Sequence, residues 1–253
     1  MAYKEMIHMT WPEYAEMDDC ITALCVGSVE QHGPHLPFIV DLVIPYEICC
    51  RLSEKYHLLV APPVYYGYRS QPASGGGQGF PGTTAIDGIT LINMVENILE
   101  DFYRQGKRKF LLMSGHFENT AYMSEASYLF TRNHPDAKVV IANWWELVKE
   151  TTLDILFDGA FPGWEVEHAS LTETSLMMYY RPELVHSDRI PDQQGKKFTP
   201  RPVIHPEPKG LVPASGILYS ANGASHEIGK TMSEEIVETI GTILETEFQV
   251  SPL

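Results

Sequence analysis

Four short apolar runs, each followed by a segment with helical spacing, restrict the fold of this chain more than any other feature. They occupy residues 21–26 (ITALCV), 58–64 (LLVAPPV), 109–113 (KFLLM) and 139–142 (VVIA). Short apolar runs of this length read as buried strands. Between them, residues 44–56 and 86–104 carry apolar positions at helical spacing, with Thr84 or Asp87 available to cap the second helix. A largely helical stretch follows Gly115, and NWWELVKE follows the fourth run. Two later helices are expected in LTETSLMMYYRPELV, with Pro182 in its final part, and in SHEIGKTMSEEIVETIGTILETEF. Alternation of this kind predicts an α/β protein, a three-layer α/β/α sandwich with a mostly parallel central sheet. No repeat or linker divides residues 1–253, so one domain is expected. The proline-rich polar stretch 190–213 reads as a long surface connection.

In open parallel sheets ligands bind beyond the carboxyl ends of the strands. Two polar motifs stand there. After the first run the chain reads GSVEQHGPHLPFIVD, placing Glu30 and His32 two residues apart with Asp41 beyond them. After the third it reads SGHFENT, placing His116 and Glu118 two apart in the same way. Residues two apart on a strand face the same side, so each pair would leave its strand together, and Asp41 could return on its loop to meet both. Two histidines and three carboxylates exceed what one ion takes in a closed site, but suit two ions sharing a carboxylate. The expected sets are Glu30, Asp41 and His116 on one ion, and His32, Asp41 and Glu118 on the other, with zinc or manganese as the metal. The alternative for Glu118 is a carboxylate that merely favours the start of a helix.

Charge and composition narrow the partners. A formal net charge of −15 and a pI near 5.0 argue against nucleic acid or anionic lipid. Carboxylates that hold divalent cations would offset part of that excess. No secretory signal and no bilayer-length apolar stretch is seen in the sequence. Cys20, Cys25, Cys49 and Cys50 form no C-x-x-C pair, and the adjacent two read as one core and one surface thiol, so a reduced cytoplasm is expected. The glycines of SGGGQGFPGTT lack the lysine of a phosphate loop, and no G-x-S-x-G elbow occurs.

The motifs G-S-V-E-Q-H-G-P-H-L-P with Asp41 downstream, S-G-G-G-x-x-F-P-G-T-T, G-H-F-E-N and E-H-x-x-x-x-E-T-S-L-M resemble the creatininase (creatinine amidohydrolase) family nearly end to end. The H-x-E-N form is that of members acting on creatinine. The resemblance implies an α/β/α fold, a homohexamer and two divalent ions, and its ligand positions fall on the same five residues. It implies that Ser74 meets the substrate, and that Trp145, on a mobile flap, and Trp164 close over a flat ring. A nearby carboxylate, Glu165, suits a planar ligand that can be cationic. His168 is the histidine chosen for proton transfer. Ser170 and Glu173 fit an S-x-x-E capping box, so Glu173 is given a structural role.

Two positions depart from the family pattern: Phe117 stands where a tyrosine is usual, and Glu165 replaces an aspartate. The expected activity is the reversible hydrolysis of creatinine to creatine by a hydroxide bridging two ions, with Glu118 accepting the water's proton. Two alternatives stand beside it. One is the same chemistry on another small cyclic or formamide-like substrate, which Phe117 favours; the other is a catalytically silent metal-binding subunit.

Overall fold

The computed structural model describes residues 4–71, 78–197, 199, 204, 210 and 212–253. Its centre is a sheet of four strands, β1 (Ile21–Val26), β2 (Leu58–Val60), β3 (Lys109–Ser114) and β4 (Lys138–Asn143), in the order β2-β1-β3-β4. All neighbours are parallel, with Ile21 opposite Leu58 on one side and Lys109 on the other, and Lys109 opposite Lys138. The helices are α1 (Trp11–Ala15), α2 (Val40–Lys55), α3 (Gly88–Arg104), α4 (Asn119–Asn133), α5 (Glu150–Leu156), α6 (Leu171–Tyr180) and α7 (His226–Phe248).

Alternation along the strands divides the core between two layers. Ala23, Cys25, Leu111 and Met113 face Ile44, Ile48 and Leu52 of α2, with Leu176 of α6 and Ile236 and Ile240 of α7 in the same cluster. Leu24, Val26, Phe110 and Leu112 face the other way, onto Leu91, Val95 and Leu99 of α3 and Met123 and Phe130 of α4. Both faces of β1, β2 and β3 are covered, which is why these strands read as continuous apolar runs rather than alternating ones. Each large aliphatic side chain so buried contributes about 1.5–3 kcal/mol. The three-layer arrangement expected from the alternation is the one observed. All four cysteines are buried free thiols, Cys49 and Cys50 both included, so neither of that pair is the surface thiol expected.

The boundaries differ from expectation for local reasons. Strand β2 stops at Val60, because Pro62 and Pro63 have no N–H to give; Val64 rejoins through one bridge to Val26. Helix α3 starts at Gly88, with Asp87 as its cap accepting from the Thr90 N–H at 2.9 Å. Helix α6 ends at Tyr180, since Pro182 disfavours helical geometry at Arg181. NWWELVKE forms a 3-10 turn, Trp144–Leu147, ahead of α5. Helix α2 begins at Val40, four residues earlier than predicted, so Asp41 lies in a first helical turn and not on a loop. After β1 the chain crosses to β2 on one side and returns to β3 on the other. The crevice between the ends of β1 and β3 is therefore a topological switch point.

Candidate metal centre

At that switch point three loops and two helix starts bring titratable side chains together. The Asp41 carboxylate is shared: Oδ1 lies 3.0 Å from His32 Nε2 and Oδ2 lies 3.1 Å from His116 Nδ1. Glu30 Oε2 stands 3.2 Å from the same His116 Nδ1. On the far side, Glu173 Oε2 is 3.7 Å from His32 Nε2. Glu30, Asp41 and His116 thus form one convergent set of donor atoms, and His32, His168 and Glu173 a second. All six residues are buried.

Backbone carbonyls fix which imidazole nitrogen faces this cluster. His116 Nε2 donates to the Tyr68 carbonyl at 3.0 Å, leaving the Nδ1 lone pair towards Glu30 and Asp41. His32 Nδ1 donates to the Glu30 carbonyl at 3.1 Å, leaving Nε2 towards Asp41 and Glu173. Such outer hydrogen bonds set the tautomer a metal ligand needs. Ser70 Oγ donates to Glu30 Oε1 at 2.5 Å, and the Ala169 N–H donates to Glu173 Oε2 at 2.6 Å. By contrast, His32 Nε2 and Asp41 Oδ2 are buried and make no directed hydrogen bond among the described residues.

The electrostatics agree. Burial pushes Glu30 up, yet His168, His116 and His32 together hold it below the usual carboxylate range. Asp41 is likewise lowered against burial, by His32 and His116. Burial lowers His32, but Asp41 and Glu173 raise it well above its ordinary value; Glu118, Glu30 and Asp41 do the same for His116. A pocket that draws protons onto two buried imidazoles has a field that favours cations. Nitrogen and oxygen donors in this number, with lone pairs aimed at common centres, fit two divalent transition-metal ions.

Beside the donors lies a cleft walled by Phe117, Trp144, Trp145, Trp164, Glu167 and His168. Phe117 stacks on Trp145 with centroids 5.6 Å apart, and Trp164 meets Trp144 edge-on at 5.9 Å. Trp145 is buried, in the 3-10 turn that ends β4. The His168 ring lies 4.3 Å from that of His32, and its Nε2 donates to the Gln31 carbonyl at 2.8 Å. Ala169 then takes φ 54°, a left-handed turn costing about 1–2 kcal/mol in a residue with a Cβ. This turn is what aims its N–H at Glu173.

Several sequence expectations change here. Glu173 Oε2 lies 3.7 Å from His32 Nε2, while Glu118 Oε2 lies 3.2 Å from His116 Nε2 and Glu118 Oε1 accepts from the Gln71 N–H at 2.7 Å. The two-residue argument fails because β1 ends at Val26 and β3 at Ser114, so neither pair sits on a strand. The capping box is not formed either. Ser170 Oγ donates to the His168 carbonyl and accepts from the Tyr219 N–H, while Glu167 Oε2 accepts from the Thr172 N–H. Glu165 is half-buried and does not line the cleft; Glu167 does. Ser74 and much of 190–213 lie outside the described residues. Ser70 and Asn119 were missed. Asn119 donates to the Gly27 carbonyl at 2.9 Å and accepts from the Tyr68 N–H at 2.9 Å, tying both loops together. The fixed place of Asn119 in GHFEN was the one available signal.

Comparison with known proteins gives a consistent result. The family model "Creatininase: Creatinine amidohydrolase" matches residues 7–244. The chain is 39% identical over 249 residues, 95% of each protein, to the creatinine amidohydrolase of Pseudomonas putida. A solved creatininase variant complexed with creatine superposes with a TM-score of 0.92 at 38% identity, covering 97% of this chain and 99% of that one. A Zn-Zn creatininase variant gives 0.93 at 36% identity over 98% and 99%, and a Mn creatininase 0.92 at 38% over 97% and 99%.

Proposed function

We propose that this chain, which belongs to the creatininase family, is a metal-dependent amidohydrolase that reversibly converts creatinine to creatine. The observation that carries the reading is the shared Asp41 carboxylate, within 3.0 and 3.1 Å of nitrogens from two differently oriented histidines. Glu30, Asp41 and His116 would hold one ion, and His32, Asp41 and Glu173 the other. The creatinine amidohydrolase of Pseudomonas putida and the creatine-bound creatininase support the substrate. The Zn-Zn and Mn creatininases support the metals.

Hydrolysis adds water across the bond between the ring carbonyl carbon and its nitrogen. Two divalent ions in this pocket supply Lewis acidity, which makes water nucleophilic near neutrality and favours negative charge on the carbonyl oxygen. Glu118, held by the Gln71 N–H, takes the proton that water gives up. His168 delivers a proton to the departing nitrogen. Its Nε2 lies 2.8 Å from the Gln31 carbonyl and 3.0 Å from the Gln31 side-chain amide, contacts that orient the ring. Phe117 and Trp145, already stacked, and Trp164 form a wall for a flat ring and exclude bulk water. Ser74 is assigned a substrate contact.

The protein acts as one unit over residues 1–253, in the cytoplasm and as a homohexamer. Among the described residues no helix is long and apolar enough to cross a membrane. The test of the activity is creatinine ring opening after chelation and dialysis. Loss of turnover, restored by zinc or manganese, is expected; turnover unaffected by complete metal removal would eliminate the mechanism.

A further inference from the structure

The sequence pointed to Glu165 as the carboxylate that meets the ligand; of the carboxylates that line the cleft, Glu30, Asp41 and Glu173 belong to the metal donor sets, which leaves Glu167. It is 4% exposed, and its two oxygens differ. Oε2 accepts from Thr172, from the N–H at 3.2 Å and from Oγ1 at 2.5 Å. Oε1 is buried and meets no hydrogen-bond donor among the described residues. A buried carboxyl oxygen without a donor costs about 1–3 kcal/mol, so a natural chain keeps one where something else completes it. In the same wall Trp144 Nε1 is a buried N–H with no acceptor among the described residues. Apart from the metal donors, one unpartnered acceptor and one unpartnered donor belong to residues of this tryptophan-panelled cleft.

We propose that Glu167 is the recognition residue for the nitrogen end of the ligand, with Oε1 accepting N–H bonds from a guanidine or 2-amino-imidazolone group. This deepens the creatinine reading and rests on it. A planar guanidinium matches the site on three counts: its edge donates, its faces stack on indole, and its charge suits a carboxylate. The Thr172 donors also dictate how an amide would sit. In Glu167→Gln the amide oxygen stays on Thr172, and the NH2 replaces the acceptor by a donor.

The experiment compares creatine and creatinine with 1-methylhydantoin, in which a carbonyl acceptor replaces the amino group. Dissociation constants, creatinine kinetics and metal content are measured on the metal-loaded wild type, Glu167→Gln and Glu167→Asp. Wild type that neither turns over creatinine nor binds creatine overturns the parent reading. With those present, Glu167→Gln is expected to keep its metal and to weaken creatine ~10- to 100-fold. It should also bind 1-methylhydantoin better than wild type does. Glu167→Asp, which keeps the charge but withdraws the oxygen by one methylene, should weaken creatine in the same direction, and it carries the test if the glutamine variant does not fold. A ratio of creatine to 1-methylhydantoin affinity unchanged within about twofold, at full metal content, overturns the assignment and leaves the parent reading standing.

Discussion

At the scale of single residues, the site depends on groups that aim its donor atoms. The Tyr68 and Glu30 carbonyls choose the histidine tautomers, and Ser70 turns Glu30. Losing such an outer partner typically weakens metal affinity about 10- to 100-fold. Ser70→Ala is therefore expected to release metal to a chelator at correspondingly lower competitor concentration while still folding. The pairing of carboxylates makes a sharper prediction. Glu173→Gln should lose about one ion per chain by elemental analysis, whereas Glu118→Gln should keep both ions and lose turnover. Equal metal loss in the two variants would restore the assignment of Glu118 as a ligand of the second ion. Sequence alone placed Glu30, His32, Asp41 and His116 together because motifs at strand ends are confined to one rim of the sheet. It gave Glu173 only a capping role, because S-x-x-E before an apolar helix has a sufficient local explanation. Only the fold reveals that the left-handed Ala169 turns Glu173 towards His32.

At the scale of elements, the position of helix α2 sets the geometry of the shared carboxylate. Pro45 lies within α2, so the Asp41 carbonyl has no N–H four residues on to receive. Gly115 packs directly against that carbonyl and against Pro45, and any Cβ there would overlap the Asp41 oxygen. Gly115→Ala is expected to cost about 1–3 kcal/mol by thermal unfolding and to reduce bound metal, since α2 can retreat only by carrying Asp41 with it. A variant with unchanged stability and metal content would show that α2 is not wedged in this way. Asn119→Leu should be similarly harmful, because it strands the Gly27 carbonyl and the Tyr68 N–H at one stroke. The strands and most helices were legible because apolar runs and helical spacing report burial directly. The start of α2 was not, because Pro45 and the polar Asp41 disguise its first turns.

At the scale of the whole molecule, the chain carries a net charge of −15, and part of it is concentrated in the pocket between β1 and β3. His32 and His116 are raised in the folded chain by the carboxylates that outweigh burial. Their contribution to stability is complete below the ordinary histidine value of about 6.5 and is lost as pH rises through the raised folded values. Glu167, pushed up to about 8, acts in the same sense, because the folded chain keeps a proton that the unfolded chain has lost. Glu30 and Asp41 act at the opposite end: their contribution is present above the ordinary carboxylate value of about 4 and fades as acid reaches their lowered folded values. Metal-stripped protein should therefore melt at lower temperature at about pH 9 than at about pH 6.5, and metal-loaded protein should lose that slope, as scanning calorimetry can read. The central claim, that one carboxylate joins two cations in a hydrolase, is tested most directly by elemental analysis and creatinine turnover on the same preparations of wild type and Asp41→Asn. The account predicts two divalent ions per active wild-type chain, with metal lost and turnover abolished in the variant. A full metal complement with undiminished turnover in Asp41→Asn would contradict it.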